Sequence, residues 1–158
     1  MSAMAQLQII VHNIRSAENV GSILRTADSL GVSGVWLTGY SPGIDHPKVK
    51  KTALGAEKSM AIMSETDVTK VIDGLKKKGC KIIGLELDPK AEPLASYKTK
   101  SNDKIALLLG NEVDGIASYL RELCDDLVFI EQKGVKESMN VSVATGIATY
   151  ELMLKLND

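Results

Sequence analysis

Lys104-Ile105-Ala106-Leu107-Leu108-Leu109, running on into Gly110-Asn111-Glu112-Val113-Asp114-Gly115, is the stretch on which the fold turns. A strand with one wet face alternates apolar and polar residues, but here five apolar residues follow Lys104 without a break. Such a strand must be covered on both faces, the condition of a parallel sheet with helices above and below. A glycine directly after it lets backbone approach a ligand closely, and Gly115 permits a tight turn. The same six residues also read as a plain turn between two elements.

Outward from this strand the pattern repeats. Residues 6–11 (QLQIIV), 34–38 (GVWLT), 60–63, 81–87 (KIIGLEL) and 126–131 (DLVFIE) read as further strands. Helices are expected over residues 19–30, 67–78 and 139–156, the second closed by Gly79 in the place of a C-cap glycine. Strands interleaved with helices give an α/β fold with a mostly parallel sheet and helices on both faces. In such sheets ligands sit beyond the carboxyl ends of the strands. That directs attention to residues 12–19, 110–115 and 132–140. No GxGxxG follows the first strand and no GxxxxGK[ST] occurs, so the usual dinucleotide and P-loop phosphate devices are missing.

Composition narrows the class. The chain has 158 residues, 44% hydrophobic and 25% charged, which suits one domain with a single buried core. No apolar run approaches the ~18 residues of a membrane span, and the start lacks the pattern of a secretory signal. Cys80 and Cys124 form no ligand or redox spacing, so a cytoplasmic protein with two reduced thiols is expected. Glu112 and Asp114 alone are too few for a metal site, and none is expected. A net charge of −1 excludes binding of nucleic acid by bulk electrostatics; any polyanion contact needs a local patch, a dimer that doubles it, or a partner.

Two further stretches carry polar residues at helix starts. In residues 19–30, Val20, Ile23, Leu24, Ala27 and Leu30 form one apolar stripe and Arg25 falls almost opposite its centre. Arg25 is then a solvated residue, unless a partner subunit or a phosphate covers that face, and Asn19 is a helix cap. In residues 136–146 (KESMNVSVATG), Ser138 and Asn140 stand before the most apolar helix, as caps or as the floor of a site. That helix has one stripe of Val143, Ile147, Tyr150 and Leu154 and another of Val141, Ala144, Ala148 and Leu152. Apolar on both sides, it is expected to pack on its own sheet and on a second subunit of a C₂ dimer.

Taken in order, NVGSILRTA (residues 19–27), LLLGNEVDGI (107–116) and SMNVSVATGI (138–147) resemble the three motifs of SpoU-type RNA 2′-O-ribose methyltransferases in the SPOUT superfamily. The family more often has Leu at the Met139 position. The resemblance runs from about residue 10 to 154. It implies one methyltransferase domain over residues 1–158, no separate RNA-binding domain, and a deep C-terminal trefoil knot. It also implies a homodimer that uses S-adenosyl-methionine to methylate a ribose 2′-hydroxyl of tRNA or rRNA. By position, Arg25 would be catalytic in the partner's site, with Asn19, Glu112, Ser138 and Asn140 ordering the constellation. Leu85, Leu109, Gly110, Ile130, Ser138 and Met139 would surround the cofactor. Because arginine side chains ordinarily stay charged, a proton-accepting role and a phosphate-orienting role for Arg25 are both open. RNA contacts are expected from Arg15, Arg25, Lys48, Lys50, Lys51 and Lys136, with Lys58 beside them. The alternative is a SPOUT-like module that binds RNA or the ribosome without catalysis.

Overall fold

The run at residues 104–109 is a central strand covered on both sides. In the computed structural model, which describes residues 6–135 and 138–158, this strand lies between two parallel neighbours. The strands are β1 (Gln6–His12), β2 (Gly34–Thr38), β3 (Ala61–Glu65), β4 (Lys81–Leu85), β5 (Glu92–Pro93), β6 (Lys104–Leu109) and β7 (Asp126–Phe129). They form one sheet in the order β3-β2-β1-β6-β4-β7-β5, with every pairing parallel. The helices are α1 (Ala17–Ser29), α2 (Pro47–Ala53), α3 (Val68–Lys77), α4 (Ser118–Leu123) and α5 (Val141–Leu156).

The register explains the unbroken apolar run. Ile9, Leu107 and Ile83 stand side by side on β1, β6 and β4 and enter the core beneath α1 and α5. Ile10 and Leu108, one residue along, point to the opposite face and pack with Val71, Ile72 and Leu75 of α3 and Leu120 of α4. Each central strand therefore feeds two cores, and a polar residue at either parity would be buried without water.

Several boundaries differ from the sequence reading. The strand expected over residues 81–87 stops at Leu85; the Glu86 N–H still reaches the Val128 carbonyl at 2.9 Å, while its carboxylate accepts the Ile116 N–H at 2.6 Å. The strand read over 126–131 stops at Phe129, and that read over 60–63 runs instead from Ala61 to Glu65. The helix read from Asn19 starts at Ala17, capped by Ser16, whose hydroxyl accepts the Asn19 N–H at 3.1 Å. Asn19 is thus in the first turn and is not the cap. The last helix starts at Val141, with Asn140 as its cap. The basic segment after β2 contains an unforeseen helix, α2, which buries Val49 and Ala53 against α1 and leaves Lys48, Lys50 and Lys51 outside.

One crossing positions the site. β7 lies near one edge of the sheet, yet α5, the next helix along the chain, packs on α1 and touches β1 and β6. Lys155 near the end of α5 donates to the Ala95 carbonyl at 3.1 Å, fastening the helix to the segment between β5 and β6.

Candidate active site

Beyond the carboxyl ends of β6, β4 and β7 lies an open pocket of about 900 Å³. All three segments singled out from the sequence meet there. Its wall includes Asn19 from α1, Leu109 to Glu112 after β6, and Ser138 to Val141 at the start of α5. Leu85, Glu86 and Leu87 after β4 and Phe129 to Gln132 after β7 complete it. This is the crevice that parallel sheets offer to ligands, at a volume within the usual range of small-molecule sites.

Glu112 is the centre of the polar wall. Its Oε1 accepts the Arg15 N–H at 2.9 Å and its Oε2 accepts the Ser16 N–H at 3.0 Å. The carboxylate therefore sits on the unpaired N–H groups that lead into α1, where the helix dipole favours negative charge. Burial alone would raise its pKa, but the N–H groups of Arg15 and Ser16 prevail and hold it below the ordinary carboxylate value. Asn19 Nδ2 reaches Glu112 Oε2 at 3.5 Å, and Asn140 Nδ2 reaches Asn19 Oδ1 at 3.4 Å. These two long contacts link the three loops into one line of side chains. Asn140 Oδ1 meanwhile accepts from the N–H groups of Ser142 and Val143, so its carboxamide caps α5 and faces the pocket together.

Sequence reasoning missed two residues that shape this wall. Asn111 folds the turn after β6, its Oδ1 accepting from the N–H groups of Val113 at 2.8 Å and Asp114 at 3.0 Å. Its Nδ2 donates to the Asn13 carbonyl at 2.7 Å and to the Tyr40 hydroxyl at 2.8 Å, tying three loops. Gly-Asn directly after a strand is a turn signal in its own right. Glu86 was hidden by reading its strand two residues too far. The close approach it needs is visible at Gly115 (φ +68°), where a Cβ would run into the Glu86 carboxylate.

Of the expected site residues, Asn19, Glu112, Ser138, Asn140, Leu85, Leu109, Gly110, Ile130 and Met139 line this one pocket. Arg25 does not; it is exposed on α1, on the face away from the core. Arg15 and Lys48 line a smaller adjoining cleft of about 370 Å³ with Ser16, Ala17, Glu18 and His46. Lys50, Lys51 and Lys58 are exposed nearby, and Lys136 lies outside the described residues. The described residues hold no group of His, Cys, Asp and Glu able to bind a metal. Burial pushes the thiols of Cys80 and Cys124 up to about 11, which keeps both protonated at neutral pH.

The model of the SpoU rRNA Methylase family matches residues 6–150. The chain belongs to this SpoU family. A 23S rRNA (guanosine-2′-O-)-methyltransferase, RlmB, of Xanthomonas axonopodis pv. citri is 32% identical over 145 residues, covering 92% of this chain and 57% of that protein. The crystal structure of the SpoU methyltransferase AviRb from Streptomyces viridochromogenes in complex with AdoMet superposes with a TM-score of 0.87 at 24% identity, over 96% of this chain and 60% of that one. An AdoMet-bound rRNA methyltransferase from Sinorhizobium meliloti gives a TM-score of 0.85 at 25% identity, over 94% of this chain and 56% of that one. The SpoU chain described here thus spans 57% of the length of the first of these curated relatives. The SpoU membership fits the α/β fold and the parallel sheet already derived from the strands.

Proposed function

We propose that this SpoU protein transfers a methyl group from S-adenosyl-methionine to a ribose 2′-hydroxyl of tRNA or rRNA, as a homodimer in the cytoplasm. The observation that carries the reading is the convergence of Asn19, Glu112, Ser138 and Asn140 with Leu85, Leu109, Gly110, Ile130 and Met139 on one pocket. Its donor set fits the cofactor: apolar Leu85, Leu109, Ile130, Val141 and Ala144 suit an adenine and a methionine chain, and Glu86, Glu112 and Glu131 favour a cation. S-adenosyl-methionine, when bound, supplies a methyl group on a positively charged sulfur that is already a good leaving group.

The remaining work is alignment and removal of one proton. Glu112 fixes the start of α1, so that Asn19 and Asn140 hold the ribose side of the pocket in one geometry. Ser138, exposed at the pocket wall, would hydrogen-bond the substrate sugar. Arg25 lies outside its own pocket and would serve that of a second copy, brought near by the apolar outer face of α5. There its guanidinium orients the phosphate beside the target ribose and assists loss of the hydroxyl proton. Arg15, Lys48, Lys50 and Lys51 make the local basic patch that a chain of net charge −1 needs to hold RNA.

The test is transfer of tritiated methyl from S-adenosyl-methionine to total RNA of a strain lacking the gene, followed by mapping of the labelled nucleoside. Label on a 2′-O-methyl nucleoside is the expected result. Cofactor binding with no transfer to any RNA would instead support a non-catalytic RNA- or ribosome-binding module.

A further inference from the structure

Tyr40 is an aromatic side chain that the fold exposes and yet holds still. Its residue is 59% exposed, at the end of β2, in a chain with only four tyrosines, one tryptophan and one phenylalanine. An exposed tyrosine ordinarily samples several rotamers, but this one is pinned at both ends. Its backbone N–H donates to Asn13 Oδ1 at 3.0 Å, and its hydroxyl accepts from Asn111 Nδ2 at 2.8 Å. The support is itself constrained. Asn13 adopts a left-handed conformation (φ 53°), and its side chain fills the space where a Cβ at Gly39 (φ +62°) would stand. The structure thus bears the ordering cost of the ring before any ligand arrives.

Tyr40 lines neither the pocket nor the cleft, but its hydroxyl is bonded to Asn111 of the pocket wall. Asn111, which holds its hydroxyl, precedes Glu112 and lines the pocket, while Glu112 binds the N–H of Arg15 in the adjoining cleft. That cleft presents Arg15, His46 and Lys48, chemistry suited to a phosphodiester. A fixed aromatic side chain bonded to the wall of a ribose pocket, with cations in the adjoining cleft, is a combination suited to unpaired nucleic acid.

Resting on the reading of the pocket as an RNA methylation site, we infer that Tyr40 is a stacking platform for an unpaired nucleobase neighbouring the methylated ribose. Arg15 and Lys48 hold the phosphate beside that base. The contact reads a π-face, so it selects for single-stranded or flipped-out RNA over a closed duplex and tolerates different bases.

Filter binding with a mixed-sequence single-stranded oligoribonucleotide, and with an abasic strand of the same length, tests this on the full chain. Tyr40→Leu is expected to weaken the base-bearing strand about ten-fold, the size of one lost base–aromatic stack. Tyr40→Phe, which keeps the ring and loses the bond to Asn111, is expected to stay within about three-fold. The abasic strand should bind wild type and Tyr40→Leu alike. The salt dependence should keep its slope in Tyr40→Leu and lose about one ion in Lys48→Ala.

Equal binding of the base-bearing strand by wild type and Tyr40→Leu overturns the platform. So does a loss in Tyr40→Phe as large as in Tyr40→Leu, which would make the side chain a clamp for the loops. Calorimetry with S-adenosyl-methionine guards the comparison: loss of cofactor binding in Tyr40→Leu would also assign it a structural role. A wild-type protein that binds neither strand sinks the RNA reading beneath, and is told apart from the other outcomes by needing no variant.

Discussion

Glu112 spends its two oxygens on backbone N–H groups rather than on a cation, and that choice has a pH signature. Its carboxyl is held below the ordinary glutamate range by the Arg15 and Ser16 N–H groups, so the ionised form favours the folded state. A group depressed on folding contributes fully above its unfolded pKa, and the contribution drains away as pH falls through the folded value. Glu112→Gln keeps an acceptor but not the charge. The Tm gap between wild type and Glu112→Gln should therefore be widest above about pH 4.5 and close on further acidification. Thermal melts from pH 7 downward check this, and a gap indifferent to pH would assign the interaction to shape alone. At neutral pH, the same variant should lose at least about ten-fold in methyl transfer, because Asn19 and Asn140 are lined up through that carboxylate.

Helix α1 separates what a motif does for folding from what it does for chemistry. Ser16, not Asn19, caps it, so Ser16→Ala should cost about 1 kcal/mol of stability with little change in turnover. Asn19→Ala should do the reverse, sparing the denaturation midpoint and cutting methyl transfer, and paired urea melts and rate assays decide between them. Gly21 has a different task. A Cβ there would strike the Thr52 side chain and approach the Val49 carbonyl to 2.7 Å, so glycine is what lets α2 lie against α1. In an open helix Gly→Ala gains up to about 1 kcal/mol; here Gly21→Ala should instead destabilise by about 1–3 kcal/mol, read as a lower urea midpoint. These residues also show what the sequence could disclose. Runs such as Ile105 to Leu109 announce a doubly covered strand because burial on two faces leaves no choice of residue type. The convergence of Asn19, Glu112 and Asn140 was open to resemblance but not to periodicity, since it joins segments more than ninety positions apart. Short α2 escaped because four residues of its seven are polar and its two buried ones, Val49 and Ala53, make no recognisable stripe. The role of Gly21 lies in a contact between two helices, which neither helix displays alone.

At the scale of the molecule, helix α5 presents an unfinished surface. Val143, Ile147, Tyr150 and Leu154 of α5 are 52%, 42%, 56% and 51% exposed, and they are one complete stripe of the helix. The other stripe is buried through Ala148 and Leu152. An apolar face of this kind, on the helix that packs beside α1, is suited to a twofold contact that brings Arg25 of one copy toward the pocket of the other. Ile147→Glu should accordingly give a monomer by light scattering and abolish methyl transfer. A sharper test asks which pocket Arg25 serves. Arg25→Ala and Glu112→Gln are each expected to be nearly inactive as homodimers. Co-refolded in equal amounts, half the dimers pair the two variants. If Arg25 acts across the interface, each mixed dimer contains one pocket with both residues intact and one with neither. Activity should then return to about a quarter of wild type, since half the dimers carry one working site of two. If Arg25 acts on the pocket of its own chain, every pocket in the mixture lacks one residue and no activity returns.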